Sequence, residues 1–221
     1  MKRINIAIDG PSGAGKSTVS KEIARKLGYT FINSGSVYRA LALNAVRLGV
    51  DLDDQEAVFN SLDKSDIFIN SNEEVFLHQE NVSVEIREDL ISKAASKIAQ
   101  YDGVRQWVVK FIRHITVKDK GYIMDGRDTT FRLMPNAELK IFLNADPKER
   151  AMRRYKQNLE QGFESEYEII LKEVIARDYQ DTHRSTDPLH KVEDAIEIDC
   201  TNMTFEEVVD YIILLAGERA K

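Results

Sequence analysis

The sequence predicts an α/β fold in which a doubly wound parallel sheet carries a small inserted lobe. Three observations predict it. Strand-like and helix-like segments alternate along the chain, a glycine-rich turn joins the first strand to the first helix, and one hairpin-like segment interrupts the series.

The elements follow in order. Ile4 to Ile8 is a short apolar run closed by Asp9-Gly10-Pro11, a buried strand and its turn. From Lys16 to Leu27, apolar Val19, Ile23 and Leu27 recur at helical spacing, and Gly28 suits a helix end. Thr30 to Asn33 reads as a second strand and Ser36 to Leu48 as a second helix. Asp53 to Leu62 predicts a helix with acidic residues in its first turn. Asp66 to Asn70 and Val75 to His78 alternate around Ser71-Asn72-Glu73, a β-hairpin inside an otherwise strand–helix series. Helices are expected at Glu88 to Ala99 and Val104 to Val117. Gly121 to Asp125 is a strand ending in Asp125-Gly126-Arg127-Asp128, and Leu139 to Asn144 is another. A basic helix runs from Asp146 to Leu159 with Pro147 in its first turn. Gln161-Gly162 breaks it before a helix from Glu166 to about Thr182. Asp194 to Cys200 is the last strand and Phe205 to Leu215 the closing helix.

Composition narrows the functional classes. The 221 residues are 43% hydrophobic and 31% charged, which suits one domain with a sizeable core. A formal net charge of -6 and a pI of about 5.4 disfavour a partner as basic-seeking as a nucleic-acid polymer. The single cysteine, Cys200, excludes an intrachain disulfide and reads as a small buried residue. No secretory leader pattern is seen, and no window approaches the roughly 20 apolar residues that span a bilayer. A cytoplasmic monomer without a membrane partner is expected.

Gly10-Pro11-Ser12-Gly13-Ala14-Gly15-Lys16-Ser17 matches G-x-x-x-x-G-K-[ST] without a gap. Its glycines let consecutive N–H groups encircle phosphate oxygens, and the following helix adds its positive end. Lys16 is expected to reach the β- and γ-phosphates of a nucleotide and Ser17 to offer its hydroxyl to Mg²⁺. The nucleotide-binding set is therefore Gly10, Pro11, Ser12, Gly13, Ala14, Gly15, Lys16, Ser17 and the next residue, Thr18.

The remaining chemistry lies in arginines beside turns. Arg39 follows Ser34-Gly35 near a helix start, and Arg127 follows a strand, on the side where open α/β sheets bind ligands. Arg150, Arg153 and Arg154 share one helix, with 150 and 154 on one face. Arg177, Asp181 and Arg184 form one stripe if their helix continues past Thr182. An alcohol acceptor would call for a carboxylate base, whereas a phosphate monoester is ionised already, with a second pKa of about 6. An arginine-rich, histidine-poor set suits the second case, in which catalysis is alignment and charge neutralisation. His78, His114, His183 and His190 fall in no catalytic spacing and read as surface or packing residues.

These residues resemble the bacterial cytidylate kinases along nearly the whole chain. The resemblance rests on Ile6 to Ser17, Ser34-Gly35 with Tyr38-Arg39-Ala40-Leu41-Ala42-Leu43, Val82-Ser83 and Glu85-Ile86-Arg87. It continues through Ala94-Ala95-Ser96, Val104-Arg105, Asp125-Gly126-Arg127-Asp128, Leu139 to Leu143, Glu149-Arg150-Ala151 and Arg153-Arg154. Arg177-Asp178, Asp181, Arg184 and Pro188-Leu189 complete it. The resemblance implies a P-loop NTPase fold and one kinase domain over 1–221, with a core of about 1–36 and 104–221. It further implies a monophosphate-binding lobe at about 37–103, a short helical lid at about 150–168, and transfer of the γ-phosphoryl group of ATP, with Mg²⁺, to CMP or dCMP. On that reading Ser34, Arg39 and Arg127 hold the acceptor phosphate and Arg184 faces the transferred group. Ser96, Arg105 and Asp128 read the cytosine edge, whose amino group wants an acceptor such as Asp128 and whose O2 and N3 want a donor such as Arg105. Arg177 and Asp181 contact the ribose, and Arg153 and Arg154 close over ATP. Lys16, Arg127, Arg154 and Arg184 are the catalytic set.

The chain departs from the family pattern at Asn33, where aspartate is usual, and at Ile112, where glutamine is usual. Thr129-Thr130-Phe131-Arg132-Leu133-Met134 replaces a glycine and a run of valines. Threonine lacks glycine's conformational freedom, so a differently running loop is expected beside Arg127. Three other readings compete: a P-loop kinase of another small metabolite, a GTP-dependent switch and a noncatalytic nucleotide scaffold. The switch class needs N-K-x-D and D-x-x-G elements, and neither is present in the required form.

Overall fold

The computed structural model describes residues 2–221. In chain order the elements begin with β1 (Ile6–Asp9), α1 (Lys16–Leu27), β2 (Thr30–Ile32), α2 (Ser34–Arg47) and α3 (Gln55–Leu62). β3 (Ile67–Ile69), β4 (Val75–Leu77), β5 (Glu80–Asn81), α4 (Asp89–Ile98) and α5 (Asp102–Lys118) follow. The chain continues with β6 (Tyr122–Gly126), a π-helical turn (Thr129–Leu133), β7 (Leu139–Asn144), α6 (Pro147–Glu160), α7 (Tyr167–His183), β8 (Ile196–Asp199) and α8 (Phe205–Arg219). Two compact units result: the residues through Tyr29 with Lys120–Lys221, and Thr30–Asp119.

In the first unit β6, β1, β7 and β8 lie side by side, all parallel. Parallel strands covered on both faces read as apolar runs, and Ile6, Ala7, Ile8, Ile123, Met124, Ile141 and Leu143 are fully buried. α1 packs on α8, and Val19 and Ile23 of one and Val208, Val209, Ile212 and Ala216 of the other are buried. Thr204 and Glu207 form a reciprocal capping box that starts α8. The parallel register sets Ile8 beside Asp125 and Asp9 beside Gly126, so the chemistry-bearing loops leave the sheet side by side at the carboxyl ends of β1 and β6.

The second unit packs α2 against α4, α3 and the antiparallel β3–β4–β5 sheet, burying Val37, Leu41, Ile91, Ile98 and Leu77. The expected insertion, 37–103, lies inside this unit, whose sequence limits are wider on both sides.

The expected elements are present, with four differences. A third short strand, β5, extends the hairpin; its two residues are exposed and carry no apolar signal. The turn before it is made by His78 and Gln79 at φ 50 and 68, where glycine or asparagine would have announced it. α8 runs to Arg219, not Leu215, and Ala216 is still buried past the expected end. α7 closes at His183, so Arg184 is its extended C-cap residue and leaves the stripe expected with Arg177 and Asp181.

Candidate active site

The turn after β1 is shaped by what its glycines permit. A Cβ on Gly10 would lie 2.0 Å from the carbonyl oxygen of Leu143, so no other residue fits there. Gly13 and Gly15 have φ 78 and 87, and Gly15 caps α1 with no side-chain hydrogen bond. The first N–H groups of α1 are thus left for a ligand. Beneath the loop, Arg150 is buried and donates from Nη1 to the carbonyl of Ser12 at 2.8 Å and from Nε to that of Ala145 at 2.8 Å. The same guanidinium forms a two-pronged pair with Asp178 on α7.

Lys16 is buried and donates to the carbonyl of Pro11 at 2.7 Å. Burial, then the charge of Arg127, lowers its pKa to about 7, against the opposing pull of Asp125, Asp9 and Asp181. Phosphate oxygens would supply the missing negative charge. Ser17 donates its hydroxyl to Oδ2 of Asp125 at 2.8 Å, and burial holds the Asp125 carboxyl above its ordinary range despite that bond.

Arg127 donates from Nε to Oδ2 of Asp181 at 2.6 Å, and Arg177 donates to Oδ1 at 3.2 Å. Burial pushes the Asp181 carboxyl up, and the two arginines more than offset it, so its pKa is lowered. The cavity above the loop, about 520 Å³, is lined by Ser12, Gly13, Gly15, Lys16, Ser17, Thr18, Asp125, Arg127, Arg150, Arg153, Arg154 and Gln157. Six of the expected loop residues, Ser12, Gly13, Gly15, Lys16, Ser17 and Thr18, are brought together with Arg127, Arg153 and Arg154 at this cavity, and Gly10, Pro11 and Ala14 do not line it. Arg153 donates to the Cys200 carbonyl at 2.8 Å and to Glu149, while Arg154, the face-mate of buried Arg150, is exposed. Arg184 lies 3.8 Å from Asp128.

Within the second unit, Ser34 opens α2 and Arg39 turns back over that helix start: its Nη1 would meet a Cβ on Gly35 at 3.2 Å. Asn33 provides no side-chain cap there, which leaves helix N–H groups and one guanidinium for an anion. Ser96 is exposed on α4 and donates to the Ser92 carbonyl, and Arg105 is half-buried in the first turn of α5. Arg39, Arg105 and Arg154 make no ion pair among the described residues.

Comparison with known proteins decides the family. A sequence model described as cytidylate kinase matches residues 6–218. The chain belongs to the cytidylate kinase family. It is 60% identical to the cytidylate kinase of Mycoplasmopsis agalactiae over 217 residues, 98% of each chain. It is 41% identical to the cytidylate kinase of Bacillus subtilis over 223 residues, 100% of this chain and 99% of the other. A solved structure of an uncharacterized protein from Eubacterium ventriosum shares the fold, with TM-score 0.56 and 15% identity over 98% of this chain and 99% of the other.

Three functional groups in this family member were not singled out by sequence reasoning. Asp125 was quoted only as part of a motif; a carboxylate ending the strand beside the phosphate-loop strand was its signal. Arg150 was placed only on one helix face with Arg154; it is a buried strut, and helical periodicity alone does not say whether that face is interior. Asp9 closes β1 and accepts from the N–H groups of Thr129 and Thr130 at 2.9 and 2.8 Å and from the Thr130 hydroxyl at 2.6 Å. This explains the departure from the family pattern. Thr130 has no left-handed φ, the turn is π-helical, and the hydroxyl is used.

Proposed function

We propose that this chain transfers the γ-phosphoryl group of ATP to CMP, and to dCMP, giving ADP and the pyrimidine nucleoside diphosphate. The observation that carries the reading is a phosphate loop with buried Lys16 and Arg127 at its cavity, in a chain matching cytidylate kinases over nearly its whole length.

The loop N–H groups and the start of α1 hold the ATP phosphates, and Lys16, charged once a phosphate is beside it, stabilises the charge that develops on the γ-phosphoryl oxygens. Arg127 and Arg184 neutralise the approaching acceptor phosphate and the transferred group, and Arg153 and Arg154 belong to the lid, about 150–168. No proton need be removed from the acceptor, because its phosphate is already ionised. In the lobe of about 37–103, Ser34 and Arg39 at the start of α2 take the acceptor phosphate. Ser96, with Asp128 and Arg105 outside that segment, reads the cytosine edge, and Arg177 and Asp181 meet the ribose.

The donor set fits Mg²⁺ delivered with ATP: Ser17 and Asp125 present hard oxygen atoms 2.8 Å apart, and the Asp125 charge disfavoured by burial calls for a cation. When bound, that ion would neutralise charge on the β- and γ-phosphate oxygens.

A coupled assay of ADP release across CMP, dCMP, UMP, AMP and sugar-alcohol acceptors tests the reading. CMP should be among the best acceptors. Release with another acceptor and none with CMP or dCMP would overturn it.

A further inference from the structure

Arg150 is a buried charge beside the phosphate cavity, with a side chain only 2% exposed. A cation there is costly unless it is paired and hydrogen-bonded. Asp178, on α7, pairs it with both carboxylate oxygens: Oδ1 accepts from Nη1 at 3.0 Å and Oδ2 from Nη2 at 2.5 Å. Such a two-pronged grip fixes the plane of the guanidinium as well as offsetting its charge. In that plane Nη1 also donates to the carbonyl of Ser12 at 2.8 Å, and Nε to the carbonyl of Ala145 at 2.8 Å. The phosphate loop rests directly on this side chain, since a Cβ on Gly13 would lie 3.4 Å from that of Arg150.

Holding one carbonyl decides where one N–H points. The peptide that joins Ser12 to Gly13 is planar and trans, so its carbonyl and its N–H face opposite ways. With the carbonyl turned onto Arg150, the Gly13 N–H faces away from that guanidinium, and among the described residues it donates to no other group. Ser12 and Gly13 both line the cavity, where a loop N–H serves phosphate oxygens. Glycine offers little steric resistance to rotation, so the bond to Arg150 is what stops this peptide from turning over. We propose that Asp178 is a positioning residue for phosphoryl transfer: through Arg150 it holds the Ser12–Gly13 peptide with its N–H towards the phosphates of the donor. This role rests on the reading of the loop as the ATP site.

Asp178→Asn keeps the shape of the side chain and removes its charge, which leaves the buried guanidinium unpaired and lowers stability as well. The double variant R150M/D178N separates the two effects: no charge is left unpaired, yet the Ser12 carbonyl has lost its donor. Thr204→Ala, which weakens only the cap of α8, is the control for lost stability alone. The experiment compares these three with wild type in steady-state assays, ATP and CMP varied separately, alongside thermal melts. D178N should lower kcat about thirtyfold and leave KM for CMP within about twofold. The double variant should melt closer to wild type than D178N does and be at least as slow. T204A should melt lower than wild type and turn over at the same rate. Wild-type kcat in D178N overturns the proposal. So does a double variant that recovers kcat, because the loss is then the cost of an unpaired charge. Equal slowing in T204A, or failure of both Asp178 variants to fold, overturns it too, since either makes the pair structural. Where D178N alone does not fold, kcat of the double variant decides. Absence of CMP turnover in the wild type would instead overturn the proposed function.

Discussion

Thr130 donates both its backbone N–H and its hydroxyl to one carboxylate oxygen of Asp9, at 2.8 and 2.6 Å. Both residues are buried, so the pair fastens the turn that carries Arg127 and Asp128 to the end of β1. A hydrogen bond to a buried charge contributes about 2 kcal/mol. Thr130→Val, of nearly the same shape, should lower unfolding stability by about that amount in urea titrations. A stable variant would mean the two N–H bonds hold the turn alone.

Gly10 tests the shape of the phosphate loop. Gly10→Ala would press a methyl carbon against the Leu143 backbone, and should cost about 3 kcal/mol or more together with nucleotide binding. Gly162→Ala is the control: φ is 78 but nothing lies within 4 Å, so only about 1 kcal/mol of backbone strain is expected. Equal losses at the two sites, read by thermal melts, would contradict the contact at Leu143.

Lys16 is held at about 7 in the folded chain, against about 10.4 when unfolded. Between those values the folded chain binds fewer protons, so the penalty of burying the ammonium is full below about pH 7 and lifts as pH rises towards 10.4. The stability of wild type relative to Lys16→Met should therefore climb across that window in the absence of nucleotide. A flat difference would show that Lys16 titrates normally.

Asp181 has the opposite sign. Its folded pKa is lowered, so the stability it contributes is present above about 3.9, the unfolded value, and is lost as pH falls through the lower folded value. Asp181→Asn should cost about 2 kcal/mol at neutral pH, and the gap should close in acid. A gap that stayed constant with pH would assign the loss to packing.

The fold was legible where periodicity and glycine spoke together. The apolar runs at Ile6 and Ile141 and the gapless phosphate-loop motif are enough to place the sheet and its loop. What stayed hidden was whatever depends on a distant partner. The helical spacing of Arg150 says that it shares a face with Arg154, but only the approach of Ser12, Ala145 and Asp178 makes that position the interior. Asp9 reads as a turn residue until Thr129 and Thr130, far along the chain, are seen to donate to it. Arg184 would share a stripe with Arg177 and Asp181 only if the helix ran on past Thr182; it ends at His183, and the backbone is extended at Arg184. The turn before β5 carries no glycine, so its short strand had no local signal.

The central claim is that Lys16, Arg127 and the phosphate loop carry a phosphoryl group from one nucleotide to another without a general base. The most direct measurement follows label from γ-labelled ATP incubated with CMP, for the wild type and Lys16→Ala. The label should appear on the terminal phosphate of CDP, at a rate lowered about a hundredfold to a thousandfold by the substitution. Label released only as inorganic phosphate, or transfer as fast without the Lys16 ammonium as with it, would contradict the account.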